Sequence, residues 1–444
     1  MGNCAKFATQ IHGFLRQLKM LTLSVFHDAP QQVVAGLQKK GFPNAEETVG
    51  QVLLIDQKRK DMQQSLNKLQ EELNKLSGEI GLLMKSGQKE AAEASRTQVQ
   101  SLKEEVKAGE LHLKELENTL EALLLTIPNL PSEVVPVGKT PEENETVLSH
   151  GEIPALAEGA LPHWDLIAKY DIIDFEGGNK VTGAGFPFYK GKGARLQRAM
   201  INFFLDEAVK AGYIEMQPPI LINEASGYGT GQLPDKDGQM YLATEDNLFL
   251  IPTAEVPITN YYRDTILKDS DLPVKNVGYT PCFRREAGSW GSHVRGLNRL
   301  HQFDKVEIVQ IIQPEKSYEV LEQMSLHVQS LLQKLELPYR VLRLCGGDMS
   351  FTSALTYDME VYSAAQQRWL EVSSVSNFES FQANRLKLRY KAEGDKKTTL
   401  LHTLNGSALA LPRILAAILE NNQTPDGIRI PQVLVPYCGF EWIG

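Results

Sequence analysis

The chain has 444 residues, of which 42% are hydrophobic, 23% charged and 8% aromatic. This composition is typical of folded globular proteins and excludes a largely disordered or collagen-like chain, while the length predicts two to four domains. The formal net charge of −9 excludes binding of a phosphate-rich partner through the overall field, so such binding would depend on local basic groups.

The cysteines and the N-terminal segment indicate the compartment. Cys4, Cys282, Cys345 and Cys438 are too few and too widely spaced for a disulfide framework or a zinc site with two pairs of ligands. No apolar run approaches the ~18 residues that a membrane span needs. Residues 1–27 lack the long apolar stretch of a secretory signal, although their lack of acidic residues leaves organellar import open. We expect a cytoplasmic protein without membrane association.

Residues 50–127 carry the strongest periodic pattern. Apolar residues recur at alternating spacings of four and three, from Met62 to Leu83 and again from Val99 to Ile127. This pattern predicts two long helices, and the brief interruption at Ser86-Gly87-Gln88 predicts that they form an antiparallel hairpin. Residues 56–117 contain 11 basic and 12 acidic residues. On pattern alone, this balance favours a dimerising or spacer coiled coil.

A different pattern begins after a segment rich in proline and acidic residues, which we interpret as a linker over residues 128–159. A helix is predicted at Arg195–Lys210, closed by Gly212, and a second at Lys316–Glu336. Strands are predicted at Val277–Phe283, Phe303–Ile312, Tyr339–Cys345, Tyr357–Tyr362 and Trp369–Ser374. Because mostly short or irregular connections join these strands, they favour an α+β domain on a largely antiparallel sheet over a doubly wound one.

Polar residues interrupt strands that otherwise need apolar ones. They occur at Thr253-Ala254-Glu255 and in the segments 283–286, 303–307 and 371–374, and Asn405-Gly406-Ser407 and Arg413 add polar residues at the start of the last predicted helix. The period-two rule places Phe303 and Glu307 on one face, about 13 Å apart, as it does Arg284 with Glu286 and Glu371 with Ser373. No P-loop or dinucleotide fingerprint is present. The pattern predicts a sheet face that binds a polar ligand as long as an aminoacyl nucleotide.

Four segments of the second half resemble signature segments of the bacterial-type serine–tRNA ligases, which are class II aminoacyl-tRNA synthetases. They are TAEVPITN, TPCFRREAGSWGSHVRGLNRLHQFDKVEIV, EVSSVSNFESFQANR and HTLNGSALALPR. The resemblance covers about residues 20–440. It implies a tRNA-binding domain with a coiled-coil arm at residues 20–127, the linker, and a class II catalytic domain at residues 160–444, with residues 1–19 as an extension of unassigned role.

The resemblance implies a two-step reaction. L-serine attacks the α-phosphate of ATP, with Mg²⁺ as cofactor, to give seryl-adenylate, and the seryl group then passes to the 3′ end of tRNA(Ser) and also of tRNA(Sec). A homodimer is implied as well. Two alternatives are an inactive synthetase-like RNA-binding or scaffolding dimer and a ligase that charges a carrier protein. Against the first, Arg284, Glu286, Glu307, Glu371 and Arg413 are all present; against the second, the long arm is present.

The family's functional residues transfer to positions of this chain that match its motifs. The catalytic residues implied are Arg284, Glu286 and Arg413. L-serine would contact Thr253, Ala254, Glu255, Arg284, Glu307 and Ser407. ATP would contact Arg284, Arg285, Glu286, Leu300, Phe303, Glu371, Val372, Ser373, Ser374 and Arg413, with Glu371 and Ser374 also holding Mg²⁺. The tRNA would meet Lys58, Arg59, Lys60, Lys68, Lys75, Lys103 and Lys107.

The chain departs from the family pattern in two places. Between Gly291 and Arg295, where the family usually has a basic residue followed by Asp, this chain has Ser292-His293-Val294. In the last motif, Ala408-Leu409-Ala410-Leu411-Pro412-Arg413 replaces a glycine-containing run, but the arginine is kept. A proline in the first helical turn is tolerated because its missing N–H has no intrahelical partner there.

Overall fold

The structure is a computed structural model that describes residues 22–235, 238–286 and 294–444. Its described residues form two compact units. The smaller unit comprises residues 22–38 and 42–128, and the larger one comprises residues 39–41 and 129–444.

The smaller unit is helical, and its predicted hairpin is confirmed. Its helices are α1 (Leu23–Asp28), α2 (Pro30–Lys39, whose last residue belongs to the larger unit), α3 (Ala45–Lys85) and α4 (Lys89–Leu125). The break falls at Ser86–Gln88, as the sequence predicts, and the 41 residues of α3 extend for roughly 60 Å. Gly109 is a point of close approach: a Cβ there would lie 2.8 Å from Leu66 Cδ2. The absence of a side chain at residue 109 therefore lets the buried Leu66 fit between the helices.

A buried carboxylate organises the end of the hairpin that lies away from its turn. Asp56 is 0% exposed, and its oxygens accept hydrogen bonds from His27 and Arg59 and lie 2.8 Å from Lys60 Nζ. Burial opposes its ionisation, but the hydrogen bonds from Lys60, His27 and Arg59 outweigh that cost and lower the pKa of Asp56 to about 2. Arg59 and Lys60 thus already have an anionic partner, unlike the other arm lysines named above in the described part of the chain.

The helices of the larger unit pack on the faces of a central sheet. Gly212, whose φ of 86° suits glycine, closes the long amphipathic helix at residues 191–210. The last long helix begins at Leu411 with Pro412 in its first turn. The helices are α5 (His163–Tyr170), α6 (Phe175–Val181), α7 (Gly191–Lys210), α8 (Glu224–Thr230), α9 (Glu255–Asn260), α10 (Ser317–Lys334), α11 (Phe381–Arg385), α12 (Leu411–Asn421) and α13 (Val435–Cys438).

The central sheet has eight strands in the order β1-β11-β12-β13-β16-β10-β9-β4, and every neighbouring pair except β4 with β9 is antiparallel. Its strands are β1 (Glu145–His150), β4 (Ile214–Glu215), β9 (Val274–Phe283), β10 (Gln302–Ile312), β11 (Tyr339–Arg343), β12 (Leu355–Ser363), β13 (Arg368–Asn377) and β16 (His402–Ala410). The predicted α+β architecture is confirmed. Strand β1 lies within the segment predicted as a linker.

Short strands complete the unit in small sheets. They are β2 (Ile173–Asp174), β3 (Phe188–Tyr189), β5 (Leu221–Asn223), β6 (Leu242–Ala243), β7 (Leu248–Leu250), β8 (Ile266–Lys268), β14 (Arg389–Lys391), β15 (Thr399–Leu400), β17 (Gln423–Thr424), β18 (Gly427–Arg429) and β19 (Trp442–Ile443). The main core lies between the central sheet and helices α7, α10 and α12. Within the described residues, no helix is both long and apolar enough to cross a membrane.

The structure corrects three local predictions. Strand β9 ends at Phe283, and Glu286 has a φ of 50°, so the period-two rule does not apply to Arg284 and Glu286. A register shift opposite Met359 and Glu360 places a bulge in β13, which breaks the predicted alternation of Glu371 with Ser373. Glu255 begins helix α9 instead of lying on a strand.

Strand β16 was not predicted, although the polar run inside it was noticed. The residues Asn405-Gly406-Ser407 lie in its middle, between β13 and β10. Such a central position normally calls for apolar side chains on both faces. The polar residues instead face a cavity, which is why the segment does not show the pattern of a buried strand.

Candidate active site

A cavity of about 720 Å³ lies over one face of the central sheet. Strands β10, β13 and β16 supply its floor, and residues before α9 and at the start of α12 supply parts of its wall. The predicted site residues that line it are Thr253, Glu255, Arg284, Glu286, Leu300, Phe303, Glu307, Glu371, Val372, Ser373, Ser374, Ser407 and Arg413. The sheet thus brings together residues from four separate sequence segments.

Two predicted contact residues do not line this cavity. Ala254 is fully buried and packs in a small core cluster with Ile258 and Val309. Arg285 lies with its guanidinium carbon 5.7 Å from the centre of the Tyr241 ring. Its backbone N–H donates to the Gln239 carbonyl. Arg285 therefore packs on Tyr241 and is not part of the cavity lining.

One end of the cavity combines an aromatic ring with arginines. The guanidinium carbon of Arg284 lies 5.3 Å from the centre of the Phe303 ring, and Arg299 forms an ion pair with Glu286. Leu300 is 4% exposed beside them. A ring, a guanidinium and a carboxylate at one end of a cleft can stack a base and hydrogen-bond its edge.

Arg413 is positioned by backbone oxygens at the start of α12. Its Nε donates to the carbonyl of Asn298 over 3.0 Å, and its Nη1 donates to the carbonyl of Glu371 over 2.7 Å. The carboxylate of Glu371 is 3.6 Å away. Because these contacts leave part of the guanidinium in the cavity, Arg413 can still receive an anionic ligand.

Oxygen ligands for a hard cation gather on neighbouring strands. Ser374 Oγ lies 3.4 Å from Glu371 Oε1, and Asp358, the cross-strand partner of Ser374, has a buried Oδ1 without a partner in the described residues. Burial and the nearby Glu371 carboxylate raise the pKa of Asp358 well above its usual range. The described part of the chain contains no group of three or more His, Cys, Asp or Glu arranged to hold a metal ion by themselves.

The opposite end of the cavity is built around Glu307, which is 1% exposed. Asn405 Nδ2 donates to its Oε1 over 3.0 Å, and Ser407 Oγ lies 3.4 Å from its Oε2. Lys305 Nζ lies 2.6 Å from the same Oε2. A carboxylate held in this way can accept a hydrogen bond from a small polar ligand.

A second buried carboxylate, Glu255, faces the same end. Gln382 Nε2 donates to its Oε1 over 2.6 Å, and the backbone N–H of Glu255 donates to Thr253 Oγ1. Burial, followed by the negative charge of Glu307, raises the pKa of Glu255 to about 7. Two carboxylates in one small space are suited to a ligand that carries a positive charge.

Sequence reasoning missed Arg299, Lys305 and Asn405, which line the cavity, and Gln382, which donates to Glu255. Lys305 shares the period-two face of Phe303 and Glu307 and could have been found by that rule. Asn405 lies in a run already recognised as polar. No sequence signal indicated Gln382, because its role depends on contacts across the fold.

The first departure from the family motif lies largely outside the described residues, which omit 287–293. Val294 and Arg295 lie within them, and the guanidinium carbon of Arg295 stands 4.8 Å from the centre of the Trp164 ring. The second departure leaves the position of Arg413 intact, since Pro412 occupies the first turn of α12.

Two family models match the chain. Residues 20–131 match the seryl-tRNA synthetase N-terminal domain, and residues 241–422 match the tRNA synthetase class II core domain of the G, H, P, S and T enzymes. Among curated proteins, the chain is 51% identical to a serine–tRNA ligase of Salinibacter ruber, with 96% of this chain and 99% of that protein covered. It is 46% identical, at the same coverage, to one of Akkermansia muciniphila.

Solved structures show the same similarity. Seryl-tRNA synthetase from Pyrococcus horikoshii, complexed with ATP, superposes with a TM-score of 0.90 at 32% identity and covers 96% of this chain and 99% of its own. The cytoplasmic serine–tRNA ligase from Naegleria fowleri, in complex with AMP, gives a TM-score of 0.85 at 26% identity and covers 96% of this chain and 98% of its own.

Proposed function

The chain belongs to the serine–tRNA ligase family, an assignment that makes it an ATP-dependent enzyme joining L-serine to tRNA(Ser), and we propose on that premise how its residues divide the reaction. The proposal rests on one observation above all. A single cavity joins an aromatic and arginine-rich end at Phe303 to a carboxylate-rich end at Glu307, and its length suits an aminoacyl nucleotide.

ATP occupies the end at Phe303. The adenine ring stacks on Phe303, and its amino group donates to the Glu286 carboxylate. The backbone at Leu300 borders the base, and Arg413 binds above the ring or at the γ-phosphate. Arg284 already lies over one face of the Phe303 ring, so adenine stacks on the other face or displaces the guanidinium.

Arg284 acts where the bond forms. It lines the same cavity at the Phe303 end, and from there its guanidinium can bridge the serine carboxylate and the α-phosphate. A guanidinium fork aligns two anions for attack and stays charged while the phosphorus gains an oxygen. Preorganised positive charge at that point stabilises the transition state more than the ground state. Pyrophosphate then leaves from the opposite side.

Serine occupies the end at Glu307. Its ammonium group binds Glu255 and Thr253, and its hydroxyl group donates to Glu307 beside Ser407. A carboxylate that needs a hydroxyl partner rejects alanine strongly, since alanine leaves that buried group unpaired. Ser373, which donates to the Ser407 carbonyl over 2.6 Å, fixes this edge of the pocket.

Glu371 and Ser374 fit a magnesium ion held mainly by phosphate. Mg²⁺ in nucleotide sites takes most of its ligands from phosphate oxygens and water, with only one or two protein oxygens, and a carboxylate beside a hydroxyl matches that need. When bound, the ion neutralises phosphate charge. Val372, which lies between Glu371 and Ser374 in the sequence, packs in the main core and so helps to fix strand β13.

The helical hairpin binds tRNA by shape and phosphate charge. Helix-borne lysines can follow an RNA backbone without reading bases, and Lys58, Lys68, Lys75, Lys103 and Lys107 are all exposed. Arg59 and Lys60 contribute less, because Asp56 already engages them. The same surface would accept tRNA(Sec), which we propose as a second substrate. Tests with separate tRNA(Ser) and tRNA(Sec) transcripts distinguish the two.

A second copy of the chain covers the surface around β4, which is an edge strand of the central sheet. Ile214 is 68% exposed there, and Ile220 and Leu221 are also exposed. A cavity of about 580 Å³ beside them is lined by Tyr189 and Gln197. A homodimer would cover these exposed apolar side chains. The cytoplasm, where tRNA is used, is the proposed location.

One experiment tests this function in two stages. Serine-dependent exchange of labelled pyrophosphate into ATP measures adenylate formation, and charging of purified tRNA(Ser) measures transfer. We expect both activities with serine and neither with alanine. Exchange without charging would limit the chain to activation and direct attention to residues 287–293, whereas absence of exchange would overturn the proposed assignment of the cavity.

A further inference from the structure

Lys305 is a buried cation in the cavity that the division of roles above does not use. Strand β10 pairs with β9 without a register shift from Gln302 to Ile311, so residues 303, 305 and 307 lie on one face. The Lys305 side chain is 7% exposed, and its Nζ stands 2.6 Å from Glu307 Oε2. Burying a lysine is costly unless it is paired, so this pair needs an explanation.

The pair changes what Glu307 can attract. With Lys305 on Oε2 and Asn405 on Oε1, the negative charge of Glu307 is already compensated before a ligand arrives. Ser407 adds a third polar contact. Such a carboxylate still has lone pairs for a hydroxyl group, but it has little net attraction for a second cation.

Glu255 differs in this respect. Its recorded side-chain partner is the neutral amide of Gln382. The orientation of that amide is fixed, since Thr403 Oγ1 donates to Gln382 Oε1 over 2.7 Å. Within the described residues, no basic group forms an ion pair with Glu255 at 4.0 Å or less. Lys305 and Arg284 lower the pKa of Glu255 less than burial and Glu307 raise it, so a ligand ammonium group can supply the positive charge closest to this carboxylate.

We propose that Lys305 is a specificity-determining residue. It neutralises the charge of Glu307, so that Glu307 accepts the hydroxyl group of the ligand and Glu255 binds the ammonium group. The inference rests on the proposed serine pocket and assigns different roles to its two carboxylates. Without Lys305, the Glu307 carboxylate would carry an uncompensated charge and would favour a ligand with a side-chain amine over one with a hydroxyl group.

A double-mutant cycle tests the pairing. Lys305→Met removes the charge while keeping the length of the side chain, and Glu307→Gln removes the opposite charge while keeping an acceptor oxygen. Each single variant leaves one buried charge unpaired, and we expect kcat/KM for serine in pyrophosphate exchange to fall by about 100-fold or more. The double variant should recover about tenfold or more relative to Lys305→Met, because no charge is left unpaired.

A second readout uses 2,3-diaminopropionate, which has an amine where serine has its hydroxyl. Beside an unpaired Glu307 this amine takes up a proton and replaces the missing lysine charge. We expect the compound to inhibit serine-dependent exchange by Lys305→Met much more strongly than exchange by the wild type or the double variant. The KM for ATP should stay close to the wild-type value throughout.

Three outcomes would overturn the proposal. The first is a double variant that folds but has no higher kcat/KM for serine than Lys305→Met. The second is equal inhibition of all variants by 2,3-diaminopropionate. The third is a rise in KM for ATP larger than the change in kcat/KM for serine, which would place Lys305 on a phosphate. If Lys305→Met fails to fold, as judged by thermal unfolding, Lys305→Gln replaces it in both comparisons. Wild-type exchange tests the serine pocket itself, so failure of the pocket and failure of this inference are distinguishable.

Discussion

Arg413 and Arg285 are two arginines that the family resemblance assigns to ATP, yet the structure places them differently. Arg413 lines the cavity and keeps part of its guanidinium available, whereas Arg285 lies against Tyr241. We expect Arg413→Ala to lose about 1.5–3 kcal/mol, typical of a hydrogen bond to a charged group, mainly in the kinetic terms for ATP. Arg285→Ala is the matched control and should change kcat/KM for ATP little. The reverse order of effects would contradict this assignment.

The carboxylate of Glu255 predicts a pH dependence for serine use. Burial and the charge of Glu307 raise its pKa to about 7, so below that pH it becomes neutral and loses its attraction for the serine ammonium group. kcat/KM for serine, which reports the free enzyme, should therefore fall as pH decreases below 7 and level off above it. Pyrophosphate exchange measured from pH 5.5 to 8.5 checks this.

Glu255→Gln is the control for that profile. Lys40 and Glu379 also have a pKa of about 7 because of burial, and the Gln variant keeps both of them. The variant should have low serine use with no break near pH 7. If the break persisted in Glu255→Gln, another group would be responsible for it.

Sequence reasoning succeeded at individual residues where the backbone is regular. Phe303 and Glu307 lie on one face because β10 is an uninterrupted strand over that stretch and keeps a regular register with β9. It failed for Arg284 and Glu286, because the strand ends at Phe283 and Glu286 adopts a positive φ. It also failed at β13, where a bulge shifts the alternation. Neither a strand end nor a bulge has a distinct signal in these residues.

At the scale of elements, the hairpin of α3 and α4 was the most predictable part of the chain. Its seam depends only on local spacing, and the break at Ser86–Gln88 ends one helix and begins the other. Strand β16 was the least predictable, because its central position is visible only once its neighbours are known. The hairpin packs mainly on itself, and this makes its function testable separately.

Removing residues 67–108 and joining Leu66 to Gly109 through a short Gly-Ser turn would shorten the hairpin. The Asp56 cluster and the Leu66–Gly109 contact remain. We expect serine-dependent pyrophosphate exchange to persist while charging of tRNA(Ser) falls by orders of magnitude. Equal loss of both activities would mean that the hairpin only supports the fold.

A second variant tests charge without shortening the hairpin. Alanine at four of the five exposed hairpin lysines should weaken tRNA binding and make its salt dependence shallower, since fewer phosphate counterions are released. Alanine at Lys396 and Lys397, which are exposed in the larger unit, is the control and should leave the salt slope unchanged. The four lysines are Lys68, Lys75, Lys103 and Lys107.

At the scale of the whole molecule, the exposed apolar edge at β4 predicts a dimer. Ile214→Asp places a charge in the proposed contact, where an unpaired buried charge is costly. We expect light scattering after size exclusion to show a dimer for the wild type and a shift towards monomer for this variant. Val181→Asp, which changes another exposed apolar residue, is the control. A wild-type monomer would contradict the proposed surface.

The proposed reaction requires Glu307 at the serine end of the cavity and Phe303 at the ATP end. Its most direct test is Glu307→Ala, measured by serine-dependent pyrophosphate exchange and by equilibrium binding of ATP, with the exposed Glu393→Ala as the control. We predict that exchange is abolished, ATP binding is largely retained, and the control behaves as wild type. Exchange by Glu307→Ala at near wild-type rate with serine would contradict the account.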